Sequence, residues 1–343
     1  PTPVPAPVPA PVPVPAPAGD RDREVDFSLS FFGDYPLDTR PEDRYRIVLE
    51  SARFADRNGF HAVWLPERHF HSFGGIFPNP SVLAAALARE TERVRLNAGC
   101  AVLPLHHPVR VAEEWSVVDN LSGGRVGLGC ASGWHPNDFL FFPDRYGTHK
   151  ELMHRQVDTI RALWRGEPYR GRNGSGEEIE VHLHPRPLQE LPPMYTAIVG
   201  NPDSFREAAR HDLGVITNLM TQSVEELAAN VALYRRTRAE HGLDPEAGRV
   251  VVLVHSYLGA DLATAREQAY RPFCGYLRSS LSLFGQVANS LGLTLDYENT
   301  PEEDLEFVLE RAYERYCASR ALIGTPESAR TDLDSLRPAG ADE

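Results

Sequence analysis

The stretch Val63-Trp64-Leu65-Pro66-Glu67-Arg68-His69-Phe70-His71-Ser72-Phe73-Gly74-Gly75 decides the fold. An apolar β-type run stops at a proline. An acid, a guanidinium and two imidazoles follow at once, and then two glycines. Proline cannot extend a central strand, because it has no N–H to give the ladder. The polar cluster therefore stands at the mouth of a core, where such groups must be satisfied or used.

Working outward, strands and helices alternate. Upstream, "FSLSFFG" from Phe27 predicts a strand. Pro41 to Gly59 predicts a helix, with apolar residues at helical spacing and Asn58-Gly59 as its close. Downstream, "NPSVLAAALARETE" predicts a helix capped by Asn79, with Pro80 in its first turn. "VRLNAGCAVLP" is a third strand, Pro108 to Asn120 a helix and "VGLGCAS" a fourth strand. Gly133 to Gly147 reads as a loop and His149 to Trp164 as a helix. "PMYTAIVG" is strand five, Ser204 to His211 a short helix, and "GVITNLM" strand six. Val224 to His241 is a helix and "RVVVLVHSYLG" strand seven, with helices from there through Ala321.

Repeated βα units with short apolar strands mean a parallel sheet covered on both faces. Seven such units favour a TIM-type (β/α)8 barrel over a doubly wound sheet. The eighth strand is expected after "LRPAGADE" and is missing from this chain. Residues 25–343 are assigned to the barrel. Residues 1–24, in which Pro alternates with Ala and Val from Pro1 to Ala18, read as an extended interdomain linker.

Totals exclude several classes. The 343 residues carry a net charge of −13, which argues against nucleic-acid and anionic-membrane partners. No apolar run approaches the roughly 20 residues of a membrane span. No signal peptide is visible, and Cys100, Cys130, Cys274 and Cys317 are too scattered for a disulfide framework. A cytoplasmic, reducing location is expected.

In a barrel, chemistry gathers where strands end. Those ends carry Phe32-Gly33-Asp34, Glu67 to His71, Leu105-His106-His107, Ser132 to His135, Gly200-Asn201 and His255-Ser256. A metal reading of His69-x-His71 is weak, because Pro66 ends the strand first. "GLGCASG" is one residue off a dinucleotide fingerprint. Its glycines, Gly127, Gly129 and Gly133, are expected to let a flat ligand approach strand four. Gly200, Asn201, Asp203 and Ser204 precede a helix and suit an anion such as a phosphate. A planar, phosphorylated cofactor follows, and flavin mononucleotide (FMN) fits.

From Phe27 to about Pro326 the chain resembles the luciferase-like flavin monooxygenase family. "WLPERHFHSFGGIFPNP", "GCAVLPLHHPVRVAEEWSVVDNLSGGRVGLGCASGWHPNDF" and "LIGTPESA" carry the resemblance. Its nearest subgroup is embedded in nonribosomal peptide and polyketide synthases, and the Pro-rich linker agrees. The resemblance implies reduced FMN from a separate flavin reductase, and O2 as co-substrate. It further implies a substrate bound to a carrier protein, neighbouring synthase domains and a homodimer. Residue by residue, it implies that Glu67, Cys100, Ala131, Ser132 and Gly133 line the flavin. Gly200, Asn201 and Ser204 would hold its phosphate. Arg68 stands where luciferases have a catalytic histidine, and His69 matches the next one. Arginine is no base near neutral pH, so oxygen transfer is expected rather than light. His135 is a further candidate for proton transfer, and Trp134, His149 and His255 for substrate contact. Carbon or nitrogen hydroxylation and Baeyer-Villiger-type insertion both stay open. The rivals are a deazaflavin-dependent reductase and a non-catalytic spacer domain.

Overall fold

A computed structural model of the chain describes residues 25–33, 35, 39–281 and 301–343. The expected linker over 1–24 and Asp34 of the first strand end lie outside those residues. Among the described residues no helix is long and apolar enough to cross a membrane.

The chain runs β1 (Leu29–Ser30), α1 (Arg46–Arg57), β2 (Ala62–Leu65), α2 (Pro80–Ala88), β3 (Arg95–Val102), α3 (Pro108–Ser122) and β4 (Val126–Ala131). After β4 come α4 (His149–Arg165), the hairpin β5 (Tyr169–Arg172) and β6 (Glu178–Val181), then β7 (Met194–Ala197) and α5 (Pro202–Arg210). The chain continues through β8 (Gly214–Asn218), α6 (Val224–Glu240), β9 (Val250–Leu253), β10 (His255–Leu258) and α7 (Leu262–Leu281). It finishes with α8 (Glu302–Ser319), β11 (Ala321–Gly324) and α9 (Pro326–Leu336).

Seven strands form one parallel sheet in the order β1-β2-β3-β4-β7-β8-β9. The α/β barrel expected from the sequence is present, and among the described residues its sheet has seven strands. Local chemistry explains the helix limits. Asn79 Oδ1 accepts the N–H groups of Ser81 and Val82 at the start of α2. Ser223 and Glu226 form a capping box on α6, and Gly123, at φ 69°, closes α3 in the left-handed region.

Two corrections concern the late strands. Strand seven divides at Val254 into β9 and β10, and β10 leaves the main sheet to pair with β11 in parallel. Ala321 opens that strand rather than closing a helix. "ALIG" is too short, and too close to the preceding helix, to stand out by periodicity. The β5–β6 hairpin also escaped the sequence pattern. One face is half-buried through Tyr169, Gly171 and Val181, and the exposed face carries the Arg170–Glu180 and Arg172–Glu178 ion pairs.

Helices α1 to α4 pack outside β2, β3 and β4 around Leu65, Leu87, Leu96, Trp115 and Trp164. Inside, Ala62, Trp64, Tyr195 and Val251 fill the barrel. Trp64 on β2 meets Tyr195 on β7 edge-on at 5.1 Å, although two strands separate theirs in the sheet. The sheet therefore curls upon itself. The seam between β9 and β1 closes through the last residues. Asp342 N–H donates to Val250 O at 2.9 Å, Val252 N–H to Glu343 O at 2.8 Å and Asp26 N–H to Asp342 O at 3.1 Å. Arg249 pairs with both Asp26 and Glu343. Beneath the seam lies a cleft of about 400 Å³, bordered by Phe27, Leu29, Trp64, Ile216 and Val252.

Glu343 is the pin of this seam. Its side chain is 1% exposed and accepts Trp64 Nε1–H at 2.6 Å. Glu343→Ala leaves that N–H and Arg249 without their buried carboxylate. An unfolding titration in urea is expected to show a loss of about 2–4 kcal/mol, the cost of stranding buried polar partners. A loss below about 0.5 kcal/mol, typical of surface changes, contradicts this role.

Candidate active site

Pro66 ends β2, and the chain turns back over the strand ends. Arg68 N–H donates to Phe77 O at 2.9 Å, and Gly74 N–H to Gly33 O at 2.8 Å. Gly74 sits at φ 73°, and a Cβ there would lie 3.0 Å from Arg68 Cβ, so the turn requires glycine.

This turn drives the Glu67 side chain into the protein, where it is 0% exposed. Glu67 Oε1 bonds His69 Nε2 at 2.8 Å and His106 Nε2 at 2.6 Å, while Oε2 accepts Val102 N–H at 2.7 Å. With the carboxylate ionised, both imidazoles donate through Nε2. Burial pushes the Glu67 carboxyl up, but the His106 and His69 hydrogen bonds outweigh it and hold the group below the usual carboxylate range. Burial acts to lower His106, yet the Glu67 hydrogen bond and charge prevail and raise its pKa above the ordinary value.

Arg68 is buried too, and its Nη1 bonds Asp138 Oδ2 at 2.9 Å. Its guanidinium carbon stands 5.2 Å from the centre of the half-exposed Trp134 ring. Arg68 Nε and Asp138 Oδ1 are buried without a partner among the described residues. Trp134 meets His135 edge-on at 5.3 Å, and His135 Nδ1 accepts Asn137 N–H. His69 packs against Phe70 and Phe141, both exposed. Ala131 ends β4, and Ser132 and Gly133 lead on to Trp134, so Glu67, Arg68, His69, Trp134 and His135 share one rim.

Other candidates stand apart from that cluster. Gly200, at φ 81°, and Asn201 form the end of the β7–α5 loop, and Ser204 lies in the first turn of α5. Asn201 Oδ1 caps α5 by accepting Asp203 N–H, and Asn230 Nδ2–H donates to Gly200 O at 3.2 Å. The parallel sheet puts this loop at the same strand-end side as Glu67. His149 starts α4, where Nδ1 accepts Gly147 N–H and the ring stacks on Tyr146. His255 lies in a cage of Phe273, Tyr276 and Tyr316, with Nε2 buried and unpartnered among the described residues. Burial lowers its pKa to about 4. Cys100 lies within the barrel, its thiol pushed far up by burial.

The glycines of strand four need correcting. A Cβ on Gly127 would strike the Asn97 amide at 2.3 Å, and one on Gly129 would strike Ala98 O at 2.4 Å. At Gly133 it would meet Phe139 and Val102 at 3.0 Å. Protein atoms take the space expected for a ligand. Two residues of the cluster received no role from sequence. His106 was visible as a strand-end histidine, but its partner lies 39 positions away. Asp138 gave no signal, because only the fold carries it to Arg68.

The family model for luciferase-like monooxygenases matches residues 25–343. The chain belongs to the luciferase-like monooxygenase family. The oxygenase component of a flavin-dependent trigonelline monooxygenase from Acinetobacter baylyi is 29% identical over 217 residues, 62% of this chain and 59% of the relative. This luciferase-like chain thus spans about three fifths of that relative's length. The crystal structure of monooxygenase RslO1 from Streptomyces bottropensis superposes with a TM-score of 0.72 at 26% identity, over 92% of this chain and 90% of that one. The oxygenating constituent of 3,6-diketocamphane monooxygenase from Pseudomonas putida, in complex with FMN, shares the fold at 18% identity and TM-score 0.71, over 93% and 90%.

Two measurements test the electrostatics. Histidine NMR is expected to show His106 titrating above the ordinary range in the native luciferase-like barrel, and Glu67→Gln is expected to bring it down. An unmoved His106 midpoint refutes the pairing. His255 works the other way, since its folded pKa is depressed. Its stabilisation is complete above the unfolded value of about 6.5 and is lost as pH falls towards about 4. The full shift corresponds to about 3 kcal/mol. Denaturant unfolding at pH 7 and pH 5 is expected to show weaker stability at pH 5, and His255→Gln is expected to flatten that difference. Equal pH dependence in both proteins tells against the caged histidine.

Proposed function

We propose that this barrel is the oxygenase of a two-component, FMN-dependent monooxygenase. It would receive reduced FMN from a separate flavin reductase and use O2 to oxygenate an acyl or peptidyl thioester held on a carrier protein. The observation that carries the reading is the buried Glu67–His69–His106 cluster with the Arg68–Asp138 pair beside it. The residues fit a flavin in two respects. Arg68 Nε and Asp138 Oδ1 are buried polar atoms without a partner among the described residues, which a polar ligand edge would satisfy. Gly200, Asn201 and Ser204 stand at the N-terminus of α5, the end that favours an anion.

Bound FMN supplies the chemistry with oxygen; the chain supplies position and protons. Glu67 fixes both imidazoles and neutralises one that is charged. His69 then holds a proton at the rim, with His135 further out. Arg68 would stabilise a developing negative oxygen or polarise a substrate carbonyl. Phe70, Phe141 and Trp134, exposed at the rim, would form an apolar shell that limits water around a bound flavin. Cys100, Ala131 and Ser132 would line the ring, and His149 and His255 are assigned to the substrate side. The Pro-Ala-Val composition of residues 1–24 supports a place within a synthase assembly line. Ile47, Phe54, Val82, Val117 and Leu121, exposed on α1 to α3, support a homodimer through those helices.

The test is rapid mixing of the reduced-FMN complex with oxygenated buffer. Bound FMN is expected to reoxidise more slowly than free FMN, in two phases. His69→Ala is expected to cut product formation by roughly 10²-fold, the scale of a lost proton donor. Reoxidation as fast as for free flavin, unchanged by Arg68→Ala and His69→Ala, defeats the proposal. Turnover with reduced deazaflavin in the absence of O2 selects the reductase reading instead.

A further inference from the structure

On the helices outside the barrel, α4 and α5 bring three metal-ligating side chains together. They are His154 on α4, Glu207 on α5 and His211, which caps the C-terminus of α5. One ligand atom from each lies within 4.8 Å of the other two. Glu207 and His211 are four apart, so one helix face presents both. The two imidazoles stack with centroids 3.9 Å apart and planes 12° off parallel.

Ordinary packing explains two stacked rings between helices, but not the polar atoms. His154 Nδ1 is buried with no hydrogen-bond partner among the described residues. Glu207 engages Arg210 through Oε1, which leaves Oε2 3.8 Å from His211 Nε2. Asp158 and Glu151, on the same helix as His154, add negative charge around it. Arg161 partly opposes that charge. It also fixes the frame, donating to His211 O and Asp212 O at 2.8 Å each.

We propose that His154, Glu207 and His211 bind one divalent transition-metal ion of the zinc class, joining α4 to α5. Two imidazoles and a carboxylate suit such an ion, with water completing a four-coordinate shell. A metal lies near the plane of each ligating ring, so binding turns His211 out of the stack. Its side chain is 31% exposed and has room to do so. The ion would pin the C-terminal end of α5 and steady the helix whose other end carries Gly200 to Ser204. The proposal does not rest on flavin chemistry, because metal binding is read without flavin.

The chelator-treated full chain, free of flavin, is titrated with Co²⁺ and followed by visible absorption. Zn²⁺ then competes, and Tm is recorded with and without Zn²⁺. One Co²⁺ per chain, displaced by Zn²⁺, with a Zn²⁺-dependent rise in Tm, is the expected result. Glu207→Gln and His211→Gln, both at partly exposed positions, are each expected to weaken binding by at least about 10-fold, since even outer-shell changes cost 10–100-fold. His69→Ala, at the rim, is expected to leave metal affinity unchanged. No saturable binding, binding indifferent to both α5 variants, or binding abolished by His69→Ala overturns the site.

Discussion

One carboxylate organises the open end of the barrel. Glu67 lies within the protein, where an unpaired charge would be costly. It persists because three groups surround it: two imidazoles and the Val102 amide. Those partners come from both sides of the β2–β3 boundary. The loop after β2 cannot shift without uncovering a charge that the end of β3 helps to hold. Arg68, the next residue, extends the constraint to the segment after β4 through Asp138. Three strand ends are thereby fixed in relation to one another by two consecutive side chains.

The aromatic surroundings follow from this arrangement. Trp134 stands near Arg68, and Phe141 against His69, so the charged centre is screened by rings from the segment after β4. A weakly hydrated guanidinium tolerates such company better than an ammonium would. Where luciferases carry a catalytic histidine, this chain has a permanently charged side chain already committed to an ion pair. In the proposed reaction the proton-carrying role would pass to the imidazoles on Glu67, and Arg68 would act through charge.

Much of this was legible from residues alone. Pro66 marks the end of β2 because no proline extends a central ladder. Asn79 and Pro80 mark the start of α2, and repeated apolar runs divided by helical spacing imply the parallel barrel. The rim cluster around Glu67 follows once Pro66 is taken as a strand end. What escaped depends on distance along the chain or on shape. His106 and Asp138 acquire meaning only from partners that are 39 and 70 positions away. The glycines of β4 look the same whether the space beside them holds a ligand or Asn97 and Ile216. His255 reads as a rim residue, yet α7, the next helix, and Tyr316 on α8 wall it into an aromatic cage.

The seam carries a different consequence. Sheet edges expose backbone donors and acceptors, and among the described residues the β9 edge and Asp26, just ahead of β1, bond to Asp342 and Glu343. Elsewhere each strand of the barrel has a neighbour on both sides. Opening of the wall, when it occurs, should therefore begin here and spread outward, as a zip parts from its unfastened end. Amide hydrogens of Leu29 and Val252 would then exchange with solvent sooner than those of Leu96 or Leu128, and the barrel would soften from one side while its opposite wall stayed closed.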